Sequence, residues 1–236
     1  GYATRLYPLT LDTPKPLLDV GGKKMIEHIL DRINSIDEFI EDVFVVTNEK
    51  FFKHFNEWAE NSVFDVTIVN DGTKSNEDRL GAIGDIDFVI KEKEIDDDLM
   101  VIAGDNLFEF DLKSFYDYFW EIGNSVVGIY DLKEKSKLAN KYGVVELNED
   151  GRIIGFEEKP AEPKTSLTST ACYIFSKEDV ARLEKCIAEN KSPDNLGDFI
   201  SWLSDKGEVH GFVFEEDWFD IGSMEELERV RGLMKK

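Results

Sequence analysis

The sequence predicts an α/β fold with a Rossmann-like, mixed but mainly parallel sheet flanked by helices. Two observations carry this: helical and strand patterns alternate through the first half, and β-rich runs with hairpin chemistry crowd the second. A third, the length of 236 residues with 42 % hydrophobic content, gives enough material for the core of one large domain.

In chain order, Met25, Ile26, Ile29, Leu30 and Ile33 repeat at helical spacing within 24–36, and DVFVVT at 42–47 is β-rich. The pair recurs as KFFKHFNEWAEN (50–61) before DVTIVN (65–70), and as RLGAIGDIDFVIKEK (79–93) before LMVIAG (99–104). Such alternation implies a mainly parallel sheet covered by helices. DLKSFYDYFW (111–120) reads as a helix and SVVGIYD (125–131) as a strand. The pattern then changes. Residues 142–159 hold two β-rich runs around NEDG, where Asp150-Gly151 is a hairpin signal. STACYIF (169–175) is a further strand, 177–190 and 195–205 are helical, VHGFVFE (209–215) is a strand, and a last helix starts near Met224. The second half is therefore an antiparallel or mixed elaboration of the same sheet. No linker or repeat interrupts residues 1–236, which read as a single domain. The chain opens on Gly1, inside what reads as a loop, so a first strand is expected upstream.

Fifty Asp and Glu against 28 Lys and Arg give a formal charge of −22, which repels a nucleic-acid backbone. A nucleic-acid partner is not expected, and phosphorylated substrates would need the few cations gathered in one place. Cys172 and Cys186 form neither a disulfide framework nor a Cys/His ligand cluster, so a reducing, cytoplasmic setting is expected. No apolar run approaches the ~20 residues that span a bilayer, and no membrane partner is expected. A homo-oligomer is compatible with the sequence.

The opening GYATRLYPLTLDTPKPLL joins small, turn-prone residues to Arg5 and the Pro-flanked Lys15. Backbone N–H groups in such a loop can cradle phosphate oxygens while the cations supply charge; an ordinary surface loop is the other reading. The segment is neither a GxxxxGK[ST] loop nor a GxGxxG fingerprint, which argues against ATPase and dinucleotide-dehydrogenase readings. LMVIAGDNLF places Gly104, Asp105 and Asn106 at a strand's C-terminal end, where open α/β sheets bind ligands. Mg²⁺ takes one or two protein carboxylates plus substrate phosphates, so Asp105 suits a nucleotide metal, although Gly-Asp-Asn also makes a simple turn. Glu158 and Lys159 in FEEKP can be an edge-strand ion pair. In EEDWFDIGSMEEL, Ser223 and Glu226 fit a capping box, while Asp220, set among apolar residues, needs a cation or hydrogen-bond donors.

Together, GYATRLYPLT with PKPLL, then GDN, YGVVE, EEKP and WFDIG closely resemble the sugar-nucleotide pyrophosphorylase family, nearest to its glucose-1-phosphate thymidylyltransferases and uridylyltransferases. The resemblance covers nearly the whole chain and implies a nucleotide-diphospho-sugar transferase fold. It implies that a nucleoside triphosphate, dTTP or UTP first, is joined to a sugar 1-phosphate with release of pyrophosphate. Arg5 and Lys15 would hold the nucleotide phosphates, with Gly1, Ala3, Thr4 and Gly104 in the nucleotide site. Asp105 and Asp220 would bind Mg²⁺. Tyr142 and Gly143 would line the sugar pocket, Glu158 would accept from sugar hydroxyls, Lys159 would neutralise the sugar phosphate, and Thr170 and Ala171 match a strand that contacts the sugar.

The chain departs from the family pattern in four places. The first strand is expected upstream of Gly1; Ala3 stands where many members have Gly and Ala171 where the family has Gly; and NDGTKSNEDRLGAIGD at 70–85 is a long version of the segment that meets the base. Asn70 fits the amide that reads a pyrimidine edge, and Arg79 either touches base or phosphate or is a solvated helix residue. Two rivals follow: a cytidylyltransferase of the same fold acting on a phosphocholine-like or polyol phosphate, and a non-catalytic regulatory relative.

Overall fold

The computed structural model describes residues 3–189 and 194–234. The elements run in the order β1 (Asp19–Val20), β2 (Lys23–Lys24), α1 (Met25–Asn34), β3 (Phe44–Thr47), α2 (Glu49–Glu60), β4 (Thr67–Asn70), α3 (Gly81–Glu92), β5 (Leu99–Ile102) and β6 (Asn106–Phe108). Then come α4 (Leu112–Ile122), β7 (Ser125–Asp131), β8 (Gly143–Leu147), β9 (Ile153–Glu158), β10 (Leu167–Phe175), α5 (Lys177–Val180), α6 (Leu183–Glu189), α7 (Leu196–Lys206), β11 (Val209–Phe214), β12 (Trp218–Asp220) and α8 (Met224–Met234). These group into two compact units, one from the described parts of Gly1–Leu80, Gly104–Leu112 and Trp218–Lys236, the other from Gly81–Ala103 and Lys113–Asp217.

The second unit is built on a six-stranded mixed sheet in the order β11-β7-β10-β8-β9, with β5 also paired to β10. β11 is parallel to β7, and β10 is antiparallel to β7, β5 and β8. Hence β5, β7 and β11 share one direction and β10 is inserted among them running the other way, so the sheet is mixed with most of its pairings antiparallel, where the alternation of the first half predicts mainly parallel ones. β8 and β9 form the predicted hairpin. Its turn is closed by Gly151 N–H to Asn148 O at 3.1 Å, with Gly151 at φ 78°, a conformation glycine adopts without strain. The core of this unit gathers Val127, Ile129, Val145, Ile153, Phe175, Phe199 and Ile200 from sheet and helices.

The predicted helix at 177–190 is two short helices, and residue 190 lies outside the described residues. The break has a local cause. Asp179 is buried and accepts from Ser125 Oγ at 2.6 Å, Arg182 Nη1 folds back onto it at 3.0 Å, and Arg182 N–H closes a tight turn on Asp179 O.

In the first unit β3 and β4 form a parallel pair, covered by α1 and α2 through a core of Leu17, Ile26, Leu30, Phe51 and Phe55. Apolar residues at helical spacing in α1 and α2 supply these contacts, as the sequence predicts. β6 and β12 form an antiparallel ladder pairing Trp218 with Phe108, Phe219 with Leu107 and Asp220 with Asn106. At three residues each they are too short for periodicity to reveal. The C-terminal helix α8 is tied back to the start of the chain by Arg231 Nε, which donates to Asp19 O at 2.9 Å. No helix among the described residues is long and apolar enough to cross a membrane.

Candidate active site

In the first unit the short turn Lys15–Leu17 follows Pro14 and contains Pro16, so the Lys15 backbone is held on both sides by proline rings. Lys15 is only 9 % exposed. A buried ammonium requires a partner, and Nζ donates to Asp105 Oδ2 at 2.9 Å. The chain reaches Asp105 through Gly104, where a Cβ would already lie 3.3 Å from Pro16 Cγ. Asp105 Oδ1 accepts from Asn106 Nδ2 at 2.9 Å, and the buried Asn106 in turn accepts from Trp218 Nε1 at 2.9 Å. A single relay therefore runs from an apolar anchor to a cation: Trp218, Asn106, Asp105, Lys15.

Asp220 lies across the ladder from Asn106, and Ile221 N–H donates to Asp105 O at 3.3 Å. Its carboxyl group is pushed up to about 6, first by burial and then by the negative charge of Asp105, with Lys15 and Arg5 pulling the other way. Among the described residues no hydrogen bond reaches its carboxylate, so its desolvation is uncompensated by a local donor. Ser223 caps α8 as predicted, accepting from Glu226 N–H at 3.2 Å, but the Glu226 carboxylate reaches back to Gly222 N at 2.8 Å.

The donor set fits a hard divalent cation. Two adjacent carboxylates, one costly to ionise alone, match the one or two that Mg²⁺ takes from protein before completing its shell with phosphate oxygens and water. No cluster of three or more acidic, His or Cys ligands occurs among the described residues, so the donor count is not that of an all-protein cage.

Arg5 is exposed on the turn Thr4–Leu6, beside the exposed Thr4. Ala3, just before it, has φ 45° and ψ 45°, and its carbonyl accepts from Leu6 N–H at 3.0 Å and Thr10 Oγ1 at 2.8 Å. Gly1 lies outside the described residues. Asn70 ends β4 with its amide already engaged: Nδ2 donates to Glu49 Oε2 at 2.6 Å and Oδ1 accepts from Gly72 N at 2.9 Å. An amide has two donors and two lone pairs, so one of each is left over. Arg79 is exposed in the loop before α3, with Nη1 3.4 Å from Asn76 Oδ1, so it is not a helix residue. Upstream of it Asp78 accepts from the N–H groups of Lys74 and Ser75, which hold its carboxyl below the usual range.

In the second unit, the β8–β9 hairpin brings Tyr142, Gly143, Glu158 and Lys159 together. Gly143 pairs with Glu158, and Lys159 N–H donates to Tyr142 O at 3.1 Å. Lys159 has φ 48°, a left-handed turn at the strand's end just before Pro160, and its Nζ lies 3.0 Å from Glu158 Oε1. Lys159 is half exposed while the Glu158 side chain is 28 % exposed, so the ion pair is open on the lysine side. Thr170 and Ala171 sit where the β7–β10 register shifts. The Thr170 hydroxyl faces inward, donating to Gly128 O at 2.9 Å, and Ala171 adopts φ 55° while its carbonyl accepts from Ala103 N–H at 3.0 Å. Ala3 and Ala171 thus both occupy left-handed backbone, where a Cβ costs ~1–2 kcal/mol.

Reading the motifs alone misses Asn106 and Trp218 as orienting residues. The available signal is chemical: a tryptophan in an apolar segment needs a partner for its indole N–H, and the asparagine after Asp105 is the group that meets it.

The nucleotidyl transferase family model matches residues 1–235. The bifunctional protein GlmU of Methanocaldococcus jannaschii is 28 % identical over 222 residues, covering 94 % of this chain and 49 % of its own length. The glucose-1-phosphate adenylyltransferase of Aliivibrio fischeri (strain MJ11) is 26 % identical over 268 residues, covering 100 % and 65 %. The chain thus spans about half the length of the GlmU relatives it matches. Among solved structures, a putative glucose-1-phosphate thymidylyltransferase from Bacillus anthracis, in complex with a sucrose, superimposes with a TM-score of 0.84 at 24 % identity, covering 100 % of this chain and 92 % of that one. An apo UDP-glucose pyrophosphorylase gives a TM-score of 0.80 at 18 % identity, covering 99 % and 94 %. These two likenesses establish the fold, a mixed sheet flanked by helices, and with the match along almost its entire length the chain belongs to the nucleotidyl transferase family.

Proposed function

We propose that this chain is a cytoplasmic, Mg²⁺-dependent nucleotidyltransferase that joins dTTP or UTP to a sugar 1-phosphate and releases pyrophosphate. The observation that carries this reading is the grouping of buried Lys15, Asp105 and the ionisation-resistant Asp220 on one short strand ladder and its neighbouring turn. The family relatives named for glucose 1-phosphate chemistry support the sugar phosphate.

In this mechanism Arg5 and Lys15 bind the triphosphate oxygens, and Asp105 and Asp220 would hold the Mg²⁺. When bound, the ion neutralises charge on the reacting phosphates. Glu158 accepts from sugar hydroxyls while Lys159 offsets the charge of the sugar phosphate. A sugar-phosphate oxygen then forms a bond to the α-phosphorus as the bond to the β-phosphate oxygen breaks, and that electron pair leaves with pyrophosphate. No protein nucleophile is needed; catalysis is positioning and charge stabilisation. The donor and lone pair left on Asn70 match the N3–H and carbonyl of a thymine or uracil edge.

A panel of triphosphates and phosphorylated acceptors, read by pyrophosphate release with Mg²⁺, tests this. Release is expected only when a pyrimidine triphosphate and a hexose 1-phosphate are both present. Preference for ATP or GTP would overturn the base assignment, and phosphocholine or a polyol phosphate outcompeting every sugar phosphate would favour the cytidylyltransferase rival. Lys159→Ala is expected to lose ~10²–10³ in kcat/KM for the sugar phosphate; near-normal kinetics in a folded variant would make Lys159 a surface charge.

A further inference from the structure

Gly197 is the second residue of α7, whose N-terminus is closed by a capping box between Asn195 and Asp198. Glycine within a helix costs about 1 kcal/mol relative to alanine, so its presence there calls for a steric reason. The reason lies on β9. A Cβ on Gly197 would fall 2.4 Å from Phe156 Cε1, 2.7 Å from Phe156 Cζ and 2.9 Å from Glu158 Oε2. On the neighbouring strand a Cβ on Gly143 would meet the same atoms, at 2.5 Å from Phe156 Cζ and 3.2 Å from Glu158 Oε2. The Phe156 ring and the inner oxygen of Glu158 therefore occupy one slot between two residues that lack side chains. Glu158 Oε1, on the other side of the same carboxylate, takes Lys159 Nζ at 3.0 Å. The positive end of the α7 dipole adds a favourable field for the charge held there.

We propose that Gly197 is a positioning residue for the sugar phosphate: with Gly143 it forms a slot that fixes the Phe156 ring and, beside it, the Glu158 carboxylate and its lysine partner. This rests on the assignment of Glu158 and Lys159 to the sugar phosphate made above. A methyl group at Gly197 cannot be accommodated without moving the ring, the carboxylate or the first turn of α7, and displacements of about 1 Å at a binding group can cost two orders of magnitude in rate.

The test uses Gly197→Ala, Phe156→Leu and the double variant, with glucose 1-phosphate and dTTP varied separately. Gly197→Ala is expected to raise KM for glucose 1-phosphate about tenfold or more while KM for dTTP stays within about twofold. Leucine lacks the Cε1 and Cζ atoms that meet the added methyl, so the double variant is expected to recover most of that loss. Rescue of one substrate's KM by a second substitution is not what general destabilisation produces. Parallel shifts in both KM values, or no recovery in the double variant, would overturn the proposal. So would failure of both Gly197→Ala and the double variant to fold. If the wild type consumes no sugar phosphate, the functional assignment falls instead, and a crystal structure of Gly197→Ala still decides the slot: a displaced Glu158 carboxylate supports it, and an unmoved one refutes it.

Discussion

The two units hold their candidate functional groups by opposite means. Around Asp105 the geometry is set by donors and acceptors: a relay from Trp218 through Asn106 fixes one oxygen, Lys15 fixes the other, and the half-buried Asp220 carboxylate has no hydrogen-bond donor among the described residues. Around Glu158 it is set by shape, through a left-handed Lys159 and two glycines that leave room for a ring and a carboxylate. A site held by charge is broken by isosteric changes that alter charge and leave packing alone. A site held by shape is broken in addition when atoms are added where none fit.

The sharpest way to break this contrast is at the carboxylates. Asp105→Asn and Asp220→Asn are each expected to abolish most activity in a folded protein, and the double variant to be scarcely worse than the weaker single one, because groups acting on one cation are not additive. Pyrophosphate-release kinetics on the three variants decides it; if the losses multiply, the carboxylates serve separate roles.

Stability should move the other way at Asp220. Its folded pKa, about 6, is above the ordinary value of 3.8, so the folded state binds the extra proton between these limits. Stability is full below pH ~4, falls as pH rises to ~6 and is flat beyond, a loss of up to about 3 kcal/mol for a shift of this size. Asp220→Asn does not titrate. Its Tm should exceed that of the wild type above pH 6 and converge with it near pH 4, and Mg²⁺ should raise the wild-type Tm more than the variant's. A constant Tm difference from pH 4 to 7 would contradict the assignment.

The relay itself is tested by Trp218→Phe, which keeps the ring and leaves the buried Asn106 oxygen without its donor. A cost of about 1–3 kcal/mol is expected in denaturant melts, with a lower kcat from a looser Asp105. The smallest effect concerns the two alanines. Ala3→Gly and Ala171→Gly relieve left-handed strain at some cost in unfolded-state entropy, and each should stabilise by about 0.5–1 kcal/mol. A destabilised Ala171→Gly would show that its methyl group contributes packing greater than the strain.

How much of this was legible in the sequence varies with the range of the interaction involved. The helices over Met25–Asn34 and Glu49–Glu60 and the hairpin at Asp150-Gly151 were readable because spacing and turn chemistry are local. The strands Asn106–Phe108 and Trp218–Asp220 were not, since each is stabilised by the other from a distant part of the chain and carries too few residues to show a period. The motifs located Lys15, Asp105 and Asp220, and the structure brings them together with Arg5 near enough to act on Asp220's charge. At Ala3 and Ala171 the residue type alone does not show the left-handed backbone that makes a Cβ costly there. Gly197 carried no signal at all, because what it excludes is supplied by a strand forty residues earlier.

The ladder of β6 with β12 also governs when Asp105 and Asp220 can come together. Asp105 leaves the ribosome well before Trp218, which orients it through Asn106, and Asp220, across the ladder, which follow only after the whole six-stranded sheet has been made. A nascent chain can therefore complete the hairpin bearing Glu158 and Lys159 while its acidic pair is still unassembled. Because the closing contacts are of long sequence separation, they are expected among the later steps of folding. On the proposed assignment, the two carboxylates meet only once the segment carrying Trp218–Asp220 has been translated.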